Sequence, residues 1–206
     1  MMDSLSTLAT VLSLGFFSGL NLYAVIFVSG LAIRLNWLTL SPGLHSLQIL
    51  AHPAVMIASG ALYVVEFFAD KIPWVDNTWD AIHTVVRPLG AAFLALQVLG
   101  NEDPMIRIIA ALLCGSLALT SHATKAGARL STNFLSPVEP FSNVGLSLTE
   151  DAIVIGSLYF VYAHPYVAVG IVVVFLGLIL WFAPKIFRAF RWLFRRSPSS
   201  APAPHP

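Results

Sequence analysis

The stretch YVVEFFADKIPWVDNTWDAIHTVVR, Tyr63 to Arg87, decides how this chain must be read. It holds four carboxylates (Glu66, Asp70, Asp76, Asp80), one lysine, one histidine and one arginine, between apolar runs long enough to span a bilayer. A charge at the bilayer centre costs roughly 2.5–3.5 kcal/mol on insertion scales, so such groups must be paired, hydrated or placed at an interface. Tyr63, Glu66 and Asp70 stand at i, i+3 and i+7 and share one face of a helix that Lys71-Ile72-Pro73 interrupts. From Asp76 the polar residues recur at Asp80, His83 and Arg87, a single helical face over about three turns. Trp79, Ile82 and Val86 take the other side.

Outward from this stretch the composition is that of a membrane protein. Of 206 residues, 57% are hydrophobic and 10% charged, against about a quarter charged in a soluble domain. Apolar runs recur along nearly the whole chain, which leaves no room for a separate soluble domain. The expected fold is therefore all-α: a polytopic transmembrane bundle of about six spans, with polar, Pro-broken cytoplasmic or re-entrant segments. The spans are Leu8–Leu35, Leu47–Phe68, Asp76–Gly100, Met105–Thr120, Ala152–Ala163 and Val167–Phe182. A secretory signal opens on a basic region, and the first twenty residues carry Asp3 and no Lys or Arg, so the first run is taken as a retained helix. In it, Gly15 and Gly19 suit a close helix–helix seam, and Asn21 either packs in that seam or faces a substrate.

A second polar centre follows the fourth span. His122, Lys125 and Arg129 stand at i, i+3 and i+7, a basic face to match the acidic one. Residues 134–149 read as a loop or re-entrant element, because Pro137 and Pro140 enclose Glu139. Glu150 and Asp151 would then cap the next helix, where carboxylates are favoured. Both centres share a plan of charged helix end, Pro-broken loop and polar-fronted helix, which suggests a weak parallel repeat of spans two to three and four to five.

The domain reading is one transmembrane domain over 1–184, a basic amphipathic interfacial helix over 185–196 and a disordered tail over 197–206. Five of the eleven basic residues fall between Lys185 and Arg196, suited to anionic lipid and not to nucleic acid. Nine basic residues would lie inside (Lys71, Arg87, Lys125, Arg129 and those five) and two outside (Arg34, Arg107), which puts both termini of a six-span chain in the cytoplasm. The lone Cys114 excludes an internal disulfide, and HExxH, GxSxG and P-loop motifs are absent.

Three functions compete. A transport or channel-like protein would use Asn21, Glu66, Asp70, Asp76, Asp80, His83, Arg87, His122, Lys125, Arg129, Glu150 and Asp151 to line a polar cytoplasm-facing cavity for a small solute coupled to a cation or proton, or for a lipid headgroup. In that reading His83 or His122 relays protons. A scaffold would use the same charges as structural salt bridges. A lipid-acting enzyme would use them as ligands or acid–base groups; Asp76-x3-Asp80-x2-His83 has chemistry that suits a divalent ion, and no cofactor is expected. The expected partners are the lipid bilayer and a second copy of the chain.

The segments ADKIPWVDNTWDAIHTVVRP (69–88), SHATKAGARLSTNFLSPVEPFSN (121–143) and LSLTED (146–151) resemble a family of bacterial inner-membrane proteins known as domain-of-unknown-function family 4126. The likeness runs from about Gly15 through Gly170. It implies a polytopic helical protein of the bacterial inner membrane and carries no activity or site residue with it.

Overall fold

The computed structural model describes the backbone of residues 2–135 and 140–195, and that backbone is helical nearly throughout. In order the elements are α1 (Met2–Arg34), a 3-10 helix (Pro42–Ala51), α2 (Pro53–Ala69), α3 (Pro73–Val98), α4 (Pro104–Leu135), α5 (Pro140–Ala163) and α6 (Pro165–Arg195). Five helices are long and apolar enough to cross a membrane, and the 3-10 helix with α2, bent by 71° at His52, is a sixth candidate. The all-α polytopic bundle expected from the sequence is what forms.

Every α-helix after the first opens on a proline: Pro53, Pro73, Pro104, Pro140 and Pro165. Proline suits the first helical position because its missing N–H would have no partner there and its φ is already helical. The sequence reading of residues 134–149 needs correction on this ground. Pro140 starts α5 and does not interrupt it, so residues 140–149 are helical. Glu150 and Asp151 consequently lie in the middle of α5 and do not cap it. Pro137 and Glu139 lie outside the described residues.

By packing, residues 1–170 form one unit and 171–206 a second. In the second, α6 continues through Pro184 to Arg195, and the Lys185 ammonium sits 3.0 Å over the Trp181 ring. The tail expected over 197–206 lies outside the described residues.

In the first unit α1 packs against α2, α3, α4, α5 and the 3-10 helix. Its length and hydropathy qualify it as a span, but its course is not straight. Asn21 has φ −152° and ψ 97°, an extended residue between two helices. The Thr10 hydroxyl donates to the Val161 carbonyl at 3.2 Å, and the next residue on α5, Tyr162, donates its hydroxyl to Ser29 Oγ at 2.9 Å. In a straight helix Thr10 and Ser29 would be about 28 Å apart. Both meet the same turn of α5, so α1 folds back on itself.

The other neighbours agree. Residues 2–20, the first arm, run parallel to α4: Cys114 Sγ reaches the Val11 carbonyl, Ser121 Oγ that of Phe16 and Lys125 Nζ that of Leu20. Residues 22–34, the second arm, run antiparallel to α2: a Cβ on Gly60 would lie 2.9 Å from the Phe27 ring, and one on Gly30 would lie 3.3 Å from Met56 Cγ. The ends of both arms therefore lie on one side of the bundle. Asn21 is the tip.

Small residues allow the first arm to approach α4, as expected of Gly15 and Gly19. A Cβ on Gly15 would lie 2.8 Å from Cys114 Cβ, and one on Gly19 would lie 2.7 Å from the Ala118 carbonyl carbon. Gly19→Val should therefore cost about 1–3 kcal/mol by overpacking, whereas Gly156→Ala, which meets nothing within 4 Å, should be neutral or slightly stabilising. Thermal unfolding of the two variants in detergent checks this; equal stability would contradict the packing assigned to the first arm.

Candidate functional site

Breaking a helix at Asn21 strands carbonyls at the end of the first arm and N–H groups at the start of the second. Hydrocarbon offers them no water, so other protein groups must satisfy them. Arg87 Nη1 donates to the Gly19 carbonyl at 2.9 Å and Lys125 Nζ to the Leu20 carbonyl at 3.2 Å. Two cations at a helix C-terminus also complement its dipole. Across the break, Asn21 Oδ1 accepts from the Ala24 N–H at 2.8 Å as an N-cap. This fixes which way the amide points, and Asn21 Nδ2 donates to Asp151 Oδ1 at 3.0 Å. The Tyr63 side chain on α2 lies beside the same carboxylate.

Ion pairs extend from the tip along the bundle. Arg87 pairs with Glu66. Lys125 Nζ lies 3.5 Å from Glu66, 3.3 Å from Asp70 and 3.3 Å from Glu150. Arg129 meets Asp70 at 2.8 Å, Asp76 at 2.6 Å and Glu150. Only Glu150 has appreciable exposure, 17% of its side chain. Arg87 stands eleven residues from the end of α3 at Val98, about 16 Å along the helix and so near the middle of a core about 30 Å thick.

The site holds more acid than base. Six carboxylates (Glu66, Asp70, Asp76, Asp80, Glu150, Asp151) face three cations (Arg87, Lys125, Arg129), and 3 − 6 = −3 if all are ionised. Among the described residues, Asp80 and Asp151 have no cation within ion-pair reach. Asp70, just beyond the end of α2, resists protonation: burial raises its pKa, but the Lys125 and Arg129 charges outweigh burial and hold the group below the ordinary 3.8.

The two histidines are held in defined tautomers. Arginine only donates, so His122 Nδ1, 2.7 Å from Arg87 Nη1, must present a lone pair. Its Nε2–H then donates to the Asp80 carbonyl at 3.0 Å, and Thr84 donates to that same carbonyl. His83 Nδ1 donates to the Trp79 carbonyl at 2.7 Å, and its Nε2 meets the Tyr23 hydroxyl at 2.9 Å. Trp79 stacks on its ring at 4.6 Å. A protonated His122 would turn an N–H towards Arg87, so the relay expected of it is disfavoured in this arrangement.

A family model described as Domain of unknown function (DUF4126) matches residues 8–185. The chain belongs to the DUF4126 family. No curated protein and no solved structure matches it.

In this DUF4126 chain the acidic and basic faces expected from the sequence meet in direct ion pairs. Asn21, Glu66, Asp70, Asp76, Arg87, His122, Lys125, Arg129, Glu150 and Asp151 join through side chains, and Asp80 joins through its carbonyl. His83 turns instead to Tyr23. The proposed metal triplet is split: Asp76 holds Arg129 while His83 binds Trp79 and Tyr23. Among the described residues no group of three or more His, Cys, Asp or Glu is placed to hold a metal ion. Lys71, the one lysine of the stretch Tyr63 to Arg87, donates to the Phe67 carbonyl at 2.7 Å and sits over the Phe67 ring. Tyr23 escaped sequence reasoning, whereas Tyr63 stands on the face already read from its spacing to Glu66 and Asp70.

Arg129→Met removes the shared partner of Asp70, Asp76 and Glu150, and breaking a buried pair this way costs about 3–5 kcal/mol. Acidification should restore part of the loss, because protonation removes the uncompensated charges; thermal unfolding at several pH values measures both effects. In the wild type the sign is opposite. Asp70 has a depressed folded pKa, so its contribution is present above 3.8 and lost as pH falls below that value. Asp70→Asn should abolish that part of the acid sensitivity.

Proposed function

We propose that this multi-pass membrane protein is a transporter of the bacterial cytoplasmic membrane, coupling movement of a small solute to a proton or cation at the α1 tip. One observation carries the reading: a discontinuous helix ends near mid-membrane among six carboxylates and three cations. Broken helices with charged groups at their ends are how many transporters build midplane sites. A structural clamp needs no surplus of acid in hydrocarbon, whereas a cation-handling site does.

A cleft supports the same reading. About 570 Å³ in volume, it is lined by Ser4, Thr7, His45, Ser46, Gln97 and Arg107 among others. It opens at the end of the bundle where α1 starts and α3 finishes, opposite the ion pairs of Asp70, Asp76 and Arg129. Solute would enter through the cleft, and the ion pairs would close the far side. Parting the two arms at Asn21 would then join the halves of the path.

The folded-back α1 also sets the topology of this reading. With α1 turned back at its tip, the crossings in this reading are the 3-10 helix with α2 as one span, then α3, α4, α5 and the stretch Pro165–Phe182, five in all. An odd number puts the termini on opposite sides, with the basic stretch from Lys185 to Arg196 on cytoplasmic anionic lipid and the N-terminus outside. Reporter fusions at each end should give opposite signals, and a cytoplasmic reporter at both would contradict the topology.

The scaffold reading has one observation in its favour, that each of Arg87, Lys125 and Arg129 already touches a carboxylate. Uptake separates the two. Proteoliposomes under an inward proton gradient, offered a mixture of small metabolites and analysed by mass spectrometry, should accumulate at least one solute. Arg87→Gln should reduce that accumulation at least tenfold. No gradient-dependent accumulation of any solute by the folded wild type would leave the scaffold.

A further inference from the structure

We infer that the coupling ion is a proton and that Asp151 carries it. This deepens the transport reading and rests on it only for the word coupling; the proton site itself stands on the geometry.

Asp151 lies in mid-α5, 8% exposed, twelve residues from the helix end at Ala163, about 18 Å along the axis. From α1 it meets the Asn21 amide at 3.0 Å, and from α2 the Tyr63 side chain lies beside it. The charges acting on it are those of Lys125 on α4, of Glu66 and Asp70 at the end of α2, and of Lys71 in the turn that follows. Neither lysine pairs with it. Lys125 is taken by Glu66, Asp70, Glu150 and the Leu20 carbonyl, and Lys71 by the Phe67 carbonyl. A carboxylate in this position, shielded from water, has two ways to shed its charge: a bound metal ion or a proton.

The donors around it decide between them. A sodium or divalent ion needs several oxygen atoms turned towards it. At Asp151 the neighbouring amide presents hydrogen. Asn21 cannot rotate its oxygen inward, because that oxygen caps Ala24, so its N–H faces the carboxylate. A metal ion would meet that N–H, whereas a proton needs only a free lone pair on the carboxyl group.

The step is simple. An Asp151 oxygen takes a proton from hydronium reaching it from one side, forming one O–H bond. It later returns that proton to water on the other side. While protonated, Asp151 lowers the site's surplus from three negative charges to two, and Lys125 stays on the Leu20 carbonyl. Once ionised, it competes for Lys125 and for the start of the second arm, which loosens the tip.

Infrared spectroscopy of the protein in lipid tests this without any solute. At neutral pH the spectrum should hold the carbonyl stretch of a protonated carboxyl group, shifted in heavy water. Asp151→Asn should lose one carboxyl's worth of that band, and Asp80→Asn should leave that component in place. Tyr63→Phe, which removes a neighbouring hydroxyl without removing the acid, should shift the band's frequency, whereas Tyr159→Phe should not; this pair decides the matter if Asp151→Asn fails to fold. A band unchanged by Asp151→Asn, or by Tyr63→Phe, overturns the assignment. A band that responds as expected, in a protein that accumulates no solute, keeps the proton site and removes the transport reading.

Discussion

Backbone polar groups cannot be left bare in hydrocarbon, and the extended Asn21 leaves them bare in the middle of the bundle. Much else in the first unit follows from that constraint. Gly19 and Leu20 need donors for their carbonyls, and Arg87 and Lys125 supply them. Those two cations need anions, and Glu66, Asp70 and Glu150 supply them. The second arm needs a cap, and Asn21 provides it from its own side chain while holding Asp151. The charge network and the broken helix each make the other tolerable.

Electrostatics gives this arrangement its character. Salt bridges alone would call for equal numbers of acids and bases, and the site has twice as many acids. Two of the three excess charges fall on Asp80 and Asp151, away from the cations, with the neutral Asn21 amide donating to Asp151. A purely structural clamp gains nothing from buried anions, and replacing buried ion pairs with apolar residues often stabilises proteins. The retained excess is what favours the proposed ion handling over the scaffold reading, and in that proposal the cleft at the opposite end would admit the solute.

The charged faces were legible in the sequence because helical spacing is local. Asp76, Asp80, His83 and Arg87, and then His122, Lys125 and Arg129, declare their faces by residue number alone. The fold-back of α1 was not legible. Leu20-Asn21-Leu22 carries no proline or glycine at the break, and the apolar run continues through it, so hydropathy reads one long span. What breaks the helix is tertiary: Arg87, Lys125 and Asp151 come from three other helices, 66 to 130 residues away. The prolines misled for a local reason, since a proline that opens a helix and one that ends it look alike in sequence. Pro137 and Pro140 read as the flanks of Glu139 in a loop or re-entrant element, and Pro140 begins α5. Lys71 shares the stretch Tyr63 to Arg87 with four acids, and its ammonium turns back to the Phe67 carbonyl.

The most direct check of this account is the distance between spin labels at Leu5 and Leu35, the exposed ends of the two arms, measured by pulsed electron resonance in lipid. A straight α1 would hold those residues about 45 Å apart. The folded-back helix with its tip at Asn21 predicts a distance well under half of that. A value near the straight-helix length would remove the tip, and with it the reason for the charges that surround it.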